Sequence, residues 1–337
     1  MVASPVSPLR RAQLGGAQAF ISDLARGLTR RGHEVTLHCA EGSDVPGVRL
    51  AAVPLPDDAT DALVMPGGAE PPPTPGVASA IARMFGDIRD LQVDAVSQHA
   101  FDGPAFESAR GLPVLHTLHL PPIVAAVVAA VRTAPASQLA TVSSACWGDW
   151  RAEGIEVGRI LPNGVPDIEV DAMPGRAALV AGRISPEKGI EQALAAAGAA
   201  GLAVRLAGAH YDPGYAIDLS GVEVLGSLPR EELRRVMASS AVTVCAVRWE
   251  EPFGMVAAEA QMAGCPVAGY RRGALPEVVE EGVSGFLAAP DDVDGLADAI
   301  RRCLTLGRAQ VRASGFRRLG LDAALDRYEL ALAEVAG

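Results

Sequence analysis

Two glutamates with seven residues between them, Glu251 and Glu259, stand in a segment suited to a polyhydroxylated, phosphate-bearing ligand. An ionised carboxylate only accepts hydrogen bonds, so each can grip a pair of neighbouring hydroxyls. Between them runs Pro252-Phe253-Gly254-Met255. A helix opening at Pro252 and ending near Ala263, with Glu259 about two turns in, would aim the N–H groups of Phe253, Gly254 and Met255 out of its N-terminus. That end carries about half a positive charge and suits an anion or a sugar hydroxyl. The bland alternative is a pair of solvated charges at a helix start.

A second stretch adds cations. Arg183 and Lys188 flank the turn Ile184-Ser185-Pro186-Glu187, just past an apolar run that reads as a strand. A guanidinium fork and an ammonium five residues apart can clamp a diphosphate and neutralise its charge. Two histidines follow strand-like runs, His99 after Asp94–Gln98 and His119 after Pro113–Leu118. A third, His116, lies inside its strand and is expected to be buried. Gly15-Gly16 opens a helix, and glycines before a helix N-terminus make a phosphate-compatible surface.

The elements that must position these residues alternate. Val242 to Val247 is a strand, the Glu251–Glu259 segment a loop and helix stopped at Gly264, and Pro266 to Ala268 the next strand. In open α/β sheets, the loops after the strands are where ligands bind. Phe20, Leu24 and Leu28 mark the buried side of the first helix, which ends at Arg30-Arg31-Gly32 before a strand from His33 to Cys39. Met1 to Ser4 reads as the tail of a first strand. A buried strand needs five or so residues, which leaves an abbreviated strand or residues ahead of Met1. Pro5, Pro8, Arg10 and Arg11 form a loop, and Pro56 to Gly76 a longer one. Strand–helix alternation continues, with Ile123 to Ala136 an apolar helix, up to Pro162-Asn163-Gly164-Val165-Pro166, a linker. The last helix, Asp322 to Val335, carries an apolar side of Leu325, Tyr328, Leu330, Leu332 and Val335.

Glu-x7-Glu with Pro-Phe-Gly-Met inside it is followed by Ala-Gly-Cys-Pro-Val, Gly-Ala-Leu-Pro-Glu-Val-Val and Gly-Val-Ser-Gly-Phe-Leu. This run of about forty residues resembles the signature of the retaining family-4 glycosyltransferases (glycosyl transferases group 1), two-domain enzymes of the GT-B fold. Gly-Arg-x4-Lys-Gly at 182–189 and the Gly-Gly opening resemble the family as well. The resemblance implies an α/β protein with two doubly wound Rossmann-like domains facing a cleft. An N-terminal, acceptor-side domain would comprise 1–163 plus 320–337, with the final helix crossing back, and a nucleotide-sugar domain 164–319.

It also implies roles. Arg183 and Lys188 would hold the donor diphosphate, Glu259 the ribose hydroxyls, and Glu251 the sugar hydroxyls together with the N–H groups of Phe253, Gly254 and Met255. His119 would lie near the sugar and the reacting centre, Gly15-Gly16 over the phosphates, Ser227 and Leu228 near the base, and His99 towards the acceptor.

Bulk properties agree with a globular enzyme. The chain has 337 residues, 49% apolar and 20% charged, with a net charge of −11. That charge argues against nucleic acid as a partner. Five scattered cysteines without a C-x-x-C spacing argue against a disulfide framework or zinc site and for a reducing cytoplasm. The longest apolar run, Ile123 to Val131, is too short to span a bilayer. No Asp-x-Asp metal motif stands in the loops that carry these residues, so the expectation is a transferase with no cofactor and no metal, its charge neutralised by Arg183 and Lys188. The expected activity is hexosyl transfer from a nucleoside-diphosphate sugar, UDP first, to a small soluble acceptor with retention of configuration. The alternatives are an epimerase or cyclitol-coupling enzyme on the same scaffold, or a silent sugar-nucleotide-binding subunit. The oligomeric state is left open.

Overall fold

Most strands of this chain are followed by a helix and not by a tight turn, so the chain crosses over before the next strand and the sheets are parallel. The computed structural model describes residues 1–10, 15–63, 68, 70–168, 170, 172–173, 175–210 and 214–337. Arg11 and residues 64–67 and 69 of the Pro56–Gly76 loop lie outside the described residues. Among those described are twelve strands and twelve α-helices, and the chain divides into two compact units.

The first unit is built mainly from Ala17–Pro162 and Asp322–Gly337. After α1 (Gly16–Arg30) come β1 (Thr36–Ala40), β2 (Arg49–Val53), α2 (Pro75–Asp90), β3 (Val96–Gln98), α3 (Gly103–Ser108), β4 (Val114–Leu118), α4 (Ala125–Val131), β5 (Leu139–Thr141), α5 (Ser144–Ala152) and β6 (Arg159–Ile160). β1 pairs with β2, and β3-β4-β5-β6 form a parallel ladder. One residue, Val2, joins the two pieces by bridging His38 and Gln98. Its N–H donates to Ser97 O at 2.9 Å and its carbonyl accepts from His99 N at 2.9 Å. The expected first strand is therefore a single ladder rung, fully buried. As expected, Phe20, Leu24 and Leu28 are the buried side of α1. Asp58 caps α2 from a distance, accepting from the N–H groups of Gly76 and Val77 at 2.7 and 3.0 Å.

The second unit is centred on Asn163–Leu321. It contains β7 (Ala178–Ala181), α6 (Ile190–Ala199), β8 (Val204–Ala207), β9 (Glu223–Gly226), α7 (Arg230–Ala238), β10 (Val242–Cys245), α8 (Met255–Met262), β11 (Val267–Tyr270), α9 (Leu275–Val278), β12 (Gly285–Ala288), α10 (Val293–Cys303) and α11 (Arg308–Leu319). The strand order is β9-β8-β7-β10-β11-β12, all parallel. The order reverses between β7 and β10, the switch point where a doubly wound sheet leaves a crevice.

α11 has no place in the sequence reading because it lacks an apolar stripe. Small residues let it sit close: a Cβ on Gly315 would come within 3.0 Å of the Gln261 backbone. Its arginines then cap neighbouring helices. Arg308 donates to Ser240 O and Ala238 O at 2.8 and 2.6 Å, Arg312 to Met262 O, and Arg318 to Val278 O at 3.1 Å. Ala238 and Met262 are the last residues of α7 and α8, where carbonyls have no intrahelical donor.

α12 (Leu321–Ala336) returns to the first unit. Its buried stripe is Leu321, Ala324, Leu325, Tyr328 and Ala331, whereas Leu330, expected inside, is 68% exposed. At about 100° per residue, position 330 lies half a turn round the helix from Leu321, on the opposite side. All five cysteines are free and buried.

Candidate donor-binding site

Arg183 and Lys188 come from the loop after β7, Glu251 from the loop after β10, so the strand order itself brings them to one crevice. Lys188 Nζ lies 2.8 Å from Glu251 Oε2, and Trp249 Nε1 donates to the same oxygen at 3.0 Å. The Lys188 ammonium stands 5.4 Å from the centroid of the Trp249 ring, a cation–π distance. Arg183 Nη2 donates to Glu187 Oε1 at 3.1 Å, and Ser185 Oγ donates to that oxygen at 2.7 Å. Glu187 is buried, and its other oxygen has no partner.

α8 begins later than expected. Gly254 takes φ +95°, ψ +53° and caps the helix, so Met255 is its first residue and Pro252 and Phe253 belong to the loop. A left-handed residue cannot continue a right-handed helix, so nucleation waits until it is passed. Glu259 is thus the fifth helical residue, not two turns in. Pro252-Phe253-Gly254-Met255 is buried, and the N–H groups of Phe253, Gly254 and Met255 donate to no group among the described residues. The loop after β11 clamps this segment. Gly273 N donates to Glu250 Oε2 at 2.7 Å and Ala274 N to Glu251 O at 2.8 Å.

Glu259 is buried, and its Oε1 accepts from Arg230 Nε at 2.7 Å and lies 2.6 Å from Arg230 Nη2. Arg230 opens α7 two residues past Leu228. Ser227 is exposed and Leu228 half-buried in the turn between β9 and α7. Glu251 and Glu259 share one pattern: a cation fixes one oxygen, and no described residue hydrogen-bonds to the other. Such an oxygen can accept from a hydroxyl.

In the first unit, His99 and His119 follow adjacent strands, β3 and β4, and hydrogen-bond to each other, Nδ1 to Nε2, at 2.9 Å. Ser97 Oγ lies 2.8 Å from His99 Nε2, and Tyr328 packs on His99 with ring centroids 6.0 Å apart. Tyr328 Oη lies 3.2 Å from Thr117 Oγ1. Both histidines are buried, and His119 Nδ1 has no partner. Burial holds His119 down at about 4. His99 lies well below the ordinary value through burial, then the neighbouring His119, then the amino terminus. Both are therefore neutral near pH 7. His116, stacked on Phe106 at 4.6 Å, is a core residue that burial also holds at about 4. Gly15 and Gly16 stand at the start of α1.

Two family models match this chain. Residues 14–167 fit "Glycosyltransferase Family 4" and residues 172–315 fit "Glycosyl transferases group 1". The chain belongs to the family-4, group 1 glycosyltransferases. Its fold is the GT-B fold of a glycosyltransferase involved in avilamycin A biosynthesis, 24% identical with a TM-score of 0.74 over 100% of this chain and 97% of that one. The Anabaena protein HepE in complex with UDP and glucose is similar as well: 18% identical, TM-score 0.76, over 96% of this chain and 97% of the other. Among curated proteins, a glycogen synthase of Mycobacterium tuberculosis is 32% identical over 167 residues. That match takes in 46% of this chain and 40% of the relative's length.

The motif reading missed Glu187, Arg230, Trp249 and Gly273. Glu187 was legible, since it sits between the two predicted cations. Arg230 and Gly273 approach the glutamates only through the packing of α7 and of the loop after β11. No helix among the described residues is long and apolar enough to cross a membrane.

Proposed function

We propose that this protein is a retaining glycosyltransferase that moves a hexosyl group from a nucleoside-diphosphate sugar, with UDP as the nucleotide, to a small soluble acceptor. The observation that carries this reading is the pair of half-engaged carboxylates, Glu251 and Glu259, beside Arg183, Lys188 and Arg230 in the second unit. An anion clamp next to two hydroxyl acceptors suits a sugar nucleotide better than either half alone.

In this reading Arg183 and Lys188 take the diphosphate and stabilise it as it leaves. Glu259 takes the ribose hydroxyls. Glu251 and the N–H groups of Phe253, Gly254 and Met255 take the sugar, and Ser227 and Leu228 flank the base. The resemblance assigns His119 and the Gly15-Gly16 turn to the same donor and His99 to the acceptor. Neutral His119 can exchange a hydrogen bond with a hydroxyl without adding charge. The UDP and glucose bound by HepE support UDP here. The cation set supports charge neutralisation by protein groups, with no metal.

The deciding experiment is thermal stabilisation by UDP, GDP, TDP and ADP sugars, with wild type and Glu259→Ala. A donor at one hundred times its Kd adds about 2.7 kcal/mol to the stability of the folded state. One nucleotide class should stabilise wild type and not the variant, and its diphosphate should be released only when acceptor is present. A panel with no stabilisation refutes donor binding. Full activity in a chelator would support the metal-free reading, and its loss would refute it.

A further inference from the structure

Glu251 Oε2 receives two donors of different kinds, the Lys188 ammonium at 2.8 Å and the Trp249 indole N–H at 3.0 Å. Lys188 is also the cation assigned to the diphosphate, so its three N–H groups must be shared between the phosphate and Glu251. The indole has one N–H, donates only, and is committed to Glu251. Its ring face meanwhile lies by the Lys188 ammonium. Trp249 is half-buried in the loop after β10 and thus touches both groups without lying in the Glu-x7-Glu motif.

We propose that Trp249 is a positioning residue for the donor sugar: it holds Oε2 of Glu251 while Lys188 turns to the diphosphate, leaving Oε1 to a sugar hydroxyl. This rests on the reading that Glu251 binds the sugar and Lys188 the phosphates. The consequence is selective. Loss of the indole N–H should weaken binding of a nucleotide sugar and spare the nucleotide that lacks the sugar.

The test uses the full chain, wild type and Trp249→Phe, which keeps a ring beside Lys188 and removes the N–H. Dissociation constants are measured calorimetrically for whichever of UDP, GDP, TDP or ADP the wild type binds best, and for its glucose ester. The expected result is about a tenfold weaker affinity for the glucose ester, one lost hydrogen bond to a charged group, with the diphosphate changed by less than about twofold. Trp249→His restores an N–H and should recover part of the loss. Tryptophan fluorescence gives an independent readout: the change produced by the glucose ester should vanish in Trp249→Phe, which keeps Trp147 and Trp150. Equal weakening of both ligands, or none of either, overturns the proposal and leaves donor binding standing. If wild type and Glu251→Gln prefer the glucose ester equally, the assignment of Glu251 to the sugar fails first, and this proposal with it.

Discussion

Replacing Gly273 by alanine tests whether the loop after β11 sets the position of Glu251. Gly273 has φ +52°, and a Cβ there would lie 2.3 Å from both the N and O atoms of Glu251 and 2.8 Å from the Glu250 carbonyl carbon. Ordinary contact begins near 3.4 Å, so the two backbones must part by about 1 Å. Left-handed alanine costs about 1–2 kcal/mol. The shift also breaks the bonds from Gly273 N to Glu250 and from Ala274 N to Glu251 O, each worth about 1 kcal/mol net. The sum is about 3–4 kcal/mol, a drop in Tm of roughly 6–16 °C for a unit of this size. A misplacement of about 1 Å at a reacting site costs on the order of a hundredfold in rate. Calorimetry and acceptor-dependent release of nucleoside diphosphate measure both effects. Gly198→Ala is the control: it lies in α6 with nothing within 4 Å of the added Cβ, and should gain about 0.5–1 kcal/mol with unchanged activity. A Gly273→Ala protein as stable and active as wild type would refute the claim that this backbone contact positions Glu251.

Other outcomes follow from the same contacts. Stability should fall as pH drops from about 6.5 towards 4, because His116 is held neutral at about 4 in the fold and titrates near its ordinary value when unfolded. Its contribution is complete above the unfolded value; between pH 7 and 5 about 2 kcal/mol is lost, and His116→Leu should lessen the fall in urea-unfolding stability over that range by that share, leaving the part due to the other buried histidines, His99 and His119. Arg230→Ala leaves a buried carboxylate at Glu259 without its cation, and should cost about 1–3 kcal/mol in urea unfolding and weaken nucleotide binding. Arg308→Ala uncaps the end of α7 and should cost about 1–3 kcal/mol with KM for the donor unchanged. Tyr328→Phe removes the contact with Thr117 and should cost about 1 kcal/mol by the same measurement.

Local chemistry carried much of this protein in its sequence. Apolar runs of four or five residues, helices ended by Arg30-Arg31-Gly32 or Gly264, and the Glu251–Glu259 and Arg183–Lys188 spacings all depend on near neighbours. Hence the α/β alternation and the family were readable, and candidate site residues could be named. Element ends were less so. The late start of α8 turns on one backbone angle at Gly254, and the single rung at Val2 exists only because β1 and β3 flank it.

What the tertiary structure decided was which charges meet. Glu187 lies four residues from Arg183, but its choice of Arg183 and Ser185 as partners depends on the turn's geometry. Arg230 reaches Glu259 across 29 residues of chain, Lys188 reaches Glu251 across 63, and Tyr328 reaches Thr117 across 211. α11 holds its place with glycine and arginine, not with an apolar stripe, so no periodicity announced it. A sequence shows which groups a loop can present. The order of strands in the sheet determines which loops open at the same edge, and that order is set by long-range packing.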